Sequence, residues 1–91
     1  MTSKPRAASD RERNRVPTEK QGQYLAYIFL YTKIHRVAPA ELDLQRYFRV
    51  SPPSVHQMVC TLTANGFIER VPGKGRSIRL LIPPEDLPRL K

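Results

Sequence analysis

The sequence predicts an α+β domain in which three helices precede a small antiparallel β-hairpin. One long stretch, SPPSVHQMVCTLTANGFIERVPGKGRSIRLL at residues 51–81, reads as a capped helix, a glycine stop, a strand, a tight turn and a second strand. Two further helix starts lie upstream, at Thr18-Glu19-Lys20-Gln21 and at Pro39. Charge separates these parts. No charged residue lies between Arg49 and Glu69, whereas Lys74, Arg76 and Arg79 crowd the hairpin.

Residues 1–16 are polar, Arg-rich and without periodicity, and read as a disordered basic tail. Thr18 and Gln21 have the spacing of a capping box, which starts a first helix running to about His35. Leu25, Ile28, Phe29 and Thr32 share one face of it, with Tyr24 and Tyr31 at the margins. Gly22 falls in the first turn, where light packing is expected. Arg36-Val37-Ala38 forms an extended link or a small edge strand. Pro39 suits a helix start and opens a second helix through Phe48, with Leu44 and Phe48 on one face. Glu41 and Asp43 complement its dipole.

Arg49-Val50 forms the tight turn before the third helix, and Val50 plugs the core between helices. Ser51 caps the helix, and Pro52 suits its first position because a missing N–H there leaves no bond unmade. Val55, Val59 and Leu62 point inward, and Gly66 supplies the left-handed residue that ends the helix. Phe67–Val71 and Ser77–Ile82 form the two strands around Pro72-Gly73-Lys74-Gly75, and Arg79 can pair with Glu69 across them. Phe67 and Ile78 complete the expected core. Pro83-Pro84 ends the second strand, and residues 83–91 read as a Pro-rich, mobile tail that Pro88 keeps extended. The folded domain is therefore placed at residues 17–82.

With 91 residues the chain supports one small domain and no second catalytic one. Its 16 Lys and Arg against 8 Asp and Glu give a net charge of +8 and a pI near 10.3, which fits an anionic partner, nucleic acid first. A solvated basic surface would carry the same charge. Cys60 is the single cysteine, so no internal disulfide or Cys-rich metal site is expected. His35 and His56 stand apart from any acidic cluster, and PGKG lacks the Lys-Ser/Thr that a phosphate-binding loop needs. No cofactor, metal site or enzymatic activity is expected. The absence of a long apolar run or a secretory leader points to a cytoplasmic protein.

A neutral helix bearing hydrogen-bonding side chains, beside a cationic hairpin, suits duplex DNA: one element reads base edges while the other holds phosphates. Gln57 can donate to and accept from adenine in parallel. Ser54 can reach base or phosphate, His56 a guanine acceptor or phosphate, and Cys60 and Thr61 a thymine methyl or the backbone. Each is otherwise an ordinary solvated helix residue. Arg49 precedes the helix, where a phosphate contact is natural. Lys74 and Arg76 share a glycine-containing turn that lets the backbone approach a phosphate or enter a minor groove.

These residues resemble the DNA-binding domain of the LexA repressor family. The resemblance lies in TEKQ at residues 18–21, Pro39, Ser51-Pro52, and above all NGFIERVPGKGRSIRL at residues 65–80, and it covers about residues 17–81. It implies a winged helix-turn-helix with the third helix in the major groove and the hairpin as wing. Pro53, Ser54, His56 and Gln57 then take the base-reading positions. The candidate DNA-contacting set is Arg49, Ser51, Pro53, Ser54, His56, Gln57, Thr61, Lys74 and Arg76. The family's self-cleaving Ser-Lys protease and dimerisation domain is missing, so no catalytic dyad carries over. Pro53 departs from the common pattern, so no operator sequence does either. The leading expectation is a sequence-specific transcriptional regulator, a LexA-like repressor, that uses a homodimer or protein partner for a second half-site. A protein-docking module using Tyr47 and the Tyr-rich first helix, and a non-specific DNA or RNA binder, remain as alternatives.

Overall fold

Helix α1 (Glu19–His35) starts where Thr18 and Gln21 satisfy each other's amides. The Thr18 hydroxyl accepts the Gln21 N–H at 3.1 Å, and the Gln21 side chain accepts the Thr18 N–H at 2.9 Å. The helix closes on Arg36, a left-handed residue at φ 64° whose N–H bonds Thr32 O at 2.8 Å. These features come from a computed structural model that describes residues 16–91. The basic tail expected at residues 1–16 lies, except for exposed Val16, outside the described residues.

Helix α2 (Glu41–Phe48) begins two residues after Pro39, later than the sequence suggests. Pro39 is fully buried, and the Asp43 carboxylate accepts the Ala40 N–H at 2.8 Å, so the start is set by Asp43 at the third helical position. Residues 36–38 form no strand; Ala38 packs into the core instead. Arg49, at φ 57°, ends α2 and leads through Val50 into α3 (Pro52–Ala64). The Ser51 hydroxyl accepts the Ser54 N–H at 3.3 Å, and Gly66 at φ 80° turns the chain out of the helix.

Val55, Val59 and Leu62 are fully buried and meet Leu25, Ile28, Leu44, Phe67, Ile68 and Ile78 in one core. Tyr24 belongs to this core, not to its margin: only 1% of it is exposed, and it stacks on the partly buried Phe48 with ring centroids 4.0 Å apart. A ring of that size filling the α1–α2 junction outweighs the cost of enclosing one hydroxyl.

The hairpin strands are shorter than the sequence predicts: β1 (Ile68–Glu69) and β2 (Arg79–Leu80) pair antiparallel with Ile68 opposite Leu80 and Glu69 opposite Arg79. Beyond Glu69 the ladder gives way because Val71 donates its N–H to Ser77 Oγ, at 3.0 Å, instead of to a strand partner. Glu69 and Arg79 form the cross-strand ion pair their register allows. Three helices with a small antiparallel sheet make the α+β layout of a winged helix.

Residues 83–91 are not a free tail. After a single 3₁₀ turn at Pro84–Asp86, Leu87 packs against the core and the chain returns to the start of α1. The Gln23 side chain donates to Arg89 O at 2.9 Å and accepts the Lys91 N–H at 2.8 Å. The Tyr47 hydroxyl donates to Lys91 O at 3.0 Å, and the Lys91 ammonium pairs with Glu19. Gly22, expected in a lightly packed turn, is buried under Pro88: a Cβ there would sit 2.9 Å from Pro88 Cγ. Glycine is needed at this position for close approach.

Candidate nucleic-acid interface

An α-helix turns about 100° per residue, so the buried Val55–Val59–Leu62 stripe fixes where every other α3 side chain points. Gln57, Pro53 and Cys60 project away from the core, and all three are exposed. Ser54 and Thr61 lie on one flank, His56 on the other. The two flanks meet different neighbours. Ser54, Gln57 and Thr61 line a cleft with Lys20 and Gln21 from the first turn of α1. On the opposite flank, His56 Nδ1 lies 3.5 Å from Glu41 Oε2, and Cys60 Sγ lies 3.6 Å from His56 Nε2 and 3.8 Å from Arg70 Nη2.

The α3 start is held by two bonds between Ser51 and Ser54. Besides its capping bond, Ser51 donates its hydroxyl to Ser54 Oγ at 3.0 Å, so two candidate side chains are coupled before any ligand arrives. Exposed Arg49 sits in the turn just ahead of them.

In the wing, Val71-Pro72-Gly73-Lys74 closes with Lys74 N–H on Val71 O at 3.1 Å and Gly73 at φ 79°, the pattern of a type II turn. The Ser77 hydroxyl also lies 2.9 Å from Lys74 O and 3.3 Å from Val71 O. The loop is thereby stapled to itself. Lys74 is exposed at its tip and makes no ion pair among the described residues.

Arg76 does not join Lys74 as a free cation. Its Nη1 donates to Tyr31 Oη at 3.0 Å and Ala38 O at 3.2 Å, and lies 3.2 Å from Asp43 Oδ2. The Tyr31 hydroxyl, and after it Asp43, raises the Arg76 pKa above its ordinary value. Arg76 differs from Lys74 in that three acceptors of its own fold already meet that nitrogen. His56 likewise begins from a contact with Glu41.

The structure thus gathers Ser51, Pro53, Ser54, Gln57 and Thr61 along α3, sets Lys74 apart on the wing, and leaves Arg49 at the turn. Lys20 is a basic side chain beside this flank of α3 that the sequence pattern does not single out. Its only local sign is the capping-box position that brings the α1 start beside α3. Among the described residues no cluster of three or more His, Cys, Asp or Glu could hold a metal, and no helix is long and apolar enough to cross a membrane.

Two curated relatives match most of the chain. A LexA repressor of Thermosipho melanesiensis is 34% identical over 64 residues, covering 70% of this chain and 32% of the relative. The domain is LexA-like. A LexA repressor of Thermosipho africanus is 32% identical over 68 residues, covering 75% of this chain and 34% of its own length. The chain spans about a third of the length of the curated relatives it matches. No protein-family model matches it. The LexA-like domain carries its exposed polar helix and its stapled basic loop on the winged-helix layout that the sequence resemblance implies.

Proposed function

We propose that this LexA-like domain is a transcriptional regulator of the repressor type that binds duplex DNA sequence-specifically, with α3 in the major groove and the wing on the backbone or minor groove. The observation that carries the reading is the exposed face of α3. It holds no formal charge, presents Gln57 and Pro53 outward, and has Ser54 and Lys20 on one flank and, on the other, Arg70 from the base of the wing that carries Lys74. Neutral hydrogen-bonding groups then face bases while cations meet the strands on either side. Gln57 is the principal base reader, Ser54 and Thr61 support it, and Arg49, Ser51, Lys20 and Lys74 hold phosphates. A second copy or a partner would supply the other half-site, in a cytoplasmic setting.

A protein-docking role through Tyr47 is less well supported, because Tyr47 already stacks on Tyr27 at 4.4 Å and bonds Lys91 O. A salt titration of duplex binding tests the DNA reading. Lys74→Ala should weaken binding to every duplex by a similar factor and lower the slope of log K against log salt by about 0.9. Affinity and slope equal to wild type would remove the wing from the interface, and absence of duplex binding at low salt would end the DNA reading.

A further inference from the structure

We propose that Arg76 is the positioning residue of the wing, holding the stapled loop against the α1–α2 corner so that Lys74 is presented at a fixed place beside α3. The inference rests on the DNA-binding reading for what Lys74 does, and on the fold alone for what Arg76 does.

Residues 71–77 form one unit. Lys74 N–H closes the turn on Val71 O, and Ser77 Oγ ties Val71 N–H, Val71 O and Lys74 O together. A unit stiff in itself can still swing as a body about the two-residue strands that carry it. An open cleft lined by Pro39, Ala40 and Glu41 on one side, and by residues of the wing on the other, separates the loop from the start of α2.

Arg76 spans that separation. One guanidinium nitrogen reaches the Tyr31 hydroxyl on α1, the Ala38 carbonyl in the link and the Asp43 carboxylate on α2. Asp43 Oδ2 also accepts the Ala40 N–H at 2.8 Å, so the group that caps α2 is the group that receives the wing. The backbone agrees with this use. Arg76 sits at φ 54°, a left-handed conformation in which a residue with a Cβ is strained, while its neighbour Gly75, free of that constraint, does not take the positive φ. The chain places the strained conformation on the residue whose side chain anchors the loop.

Two measurements on the full chain test the proposal. In the free protein, 15N relaxation should show the Gly73 and Gly75 amides as ordered as those of α3 in wild type. In Arg76→Ala these two should loosen while the α3 amides do not change. For binding, Lys74→Ala, Arg76→Ala and the double variant are titrated with a random-sequence duplex of about 20 base pairs at about 0.1 M salt. Loss of one phosphate contact should weaken binding by roughly eightfold, from a slope of about 0.9 per phosphate. Each single variant should show that loss, and the double variant should be no weaker than Arg76→Ala. Tyr31→Phe, which removes no positive charge, should shift binding in the same direction by a smaller factor. A purely structural role would lower the melting temperature yet leave the Lys74→Ala penalty unchanged, which overturns the proposal. Independent penalties whose slopes add would make Arg76 a direct phosphate ligand and also overturn it. If wild type binds no duplex, the DNA reading fails and the relaxation data alone decide: unaltered Gly73 and Gly75 amides in Arg76→Ala refute the anchor.

Discussion

Gly22→Ala should destabilise the protein although glycine sits inside a helix. Replacing a helical glycine by alanine ordinarily gains about 0.8–1.0 kcal/mol of helix propensity. Here the new Cβ would lie 2.9 Å from Pro88 Cγ and 3.4 Å from Pro88 Cδ, well inside contact distance for the nearer atom. Pro88 cannot rotate away, because its ring is closed onto its own backbone. The carbonyl of the next residue is held by Gln23. The segment must therefore lift. Lifting it removes the two Gln23 bonds and the Tyr47 bond, at about 0.5 kcal/mol each for exposed groups. The partly buried Leu87 contributes about 1 kcal/mol more. After the propensity gain, and with some of the loss offset by freeing the segment, the intact chain should be less stable by about 1 kcal/mol. That corresponds to a melting temperature lower by roughly 4–8 °C for a domain of this size. In a chain ending at Pro83 the same substitution should stabilise by about 1 kcal/mol. Urea and thermal melts of the four proteins give the coupling directly. Equal stabilisation by Gly22→Ala with and without residues 84–91 would refute the docked segment.

Other perturbations follow from the same packing. Val59→Asp puts an unpaired carboxylate where Val59 is fully buried; the cost, several kcal/mol, is comparable with the whole stability of a domain this small, so no cooperative melt should remain. A melt close to wild type would contradict the inward face of α3. Burial raises the pKa of Tyr24 above its ordinary value near 10, so the unfolded chain loses that proton first. Stability should be intact below about pH 10 and fall as pH rises toward the folded value, and Tyr24→Phe should reduce that fall. An identical alkaline decline in both proteins would deny Tyr24 its part in it. Ser51→Ala should cost about 1 kcal/mol through the lost α3 cap, read as a lower denaturation midpoint at unchanged slope. No change in midpoint would mean that the cap contributes nothing.

The elements that the sequence made legible are those written locally. Ser51-Pro52 and Gly66 bracket α3, Thr18 and Gln21 start α1, and the Val55–Val59–Leu62 spacing names the buried face; the structure repeats each of them. Local pattern was less informative about Tyr24, which helical spacing put at the margin of the inward face while its ring fills the core against Phe48. The features that stayed hidden join residues distant in the chain. Gln23 meets Arg89 and Lys91 across separations of 66 and 68 residues, and Arg76 meets Tyr31 and Ala38 across 45 and 38. Periodicity and turn chemistry carry no signal for such pairs, so the docked segment read as a tail and the contacts of Arg76 with α1 and α2 went unseen. The outward residues of α3 were legible because a helix with one known buried stripe fixes all its other directions.

Selection from a randomised duplex library, run in parallel on wild type and Gln57→Ala, tests the central claim most directly. Gln57 is exposed on the face of α3 opposite its buried stripe, with no charged residue on that helix to compete for phosphate. Wild type should enrich one short motif. Gln57→Ala should lose about 1–3 kcal/mol at that motif, or relax one position of it, with little change on random duplex. No enriched motif with wild type, or the same motif enriched equally by both proteins, would contradict base reading by this helix.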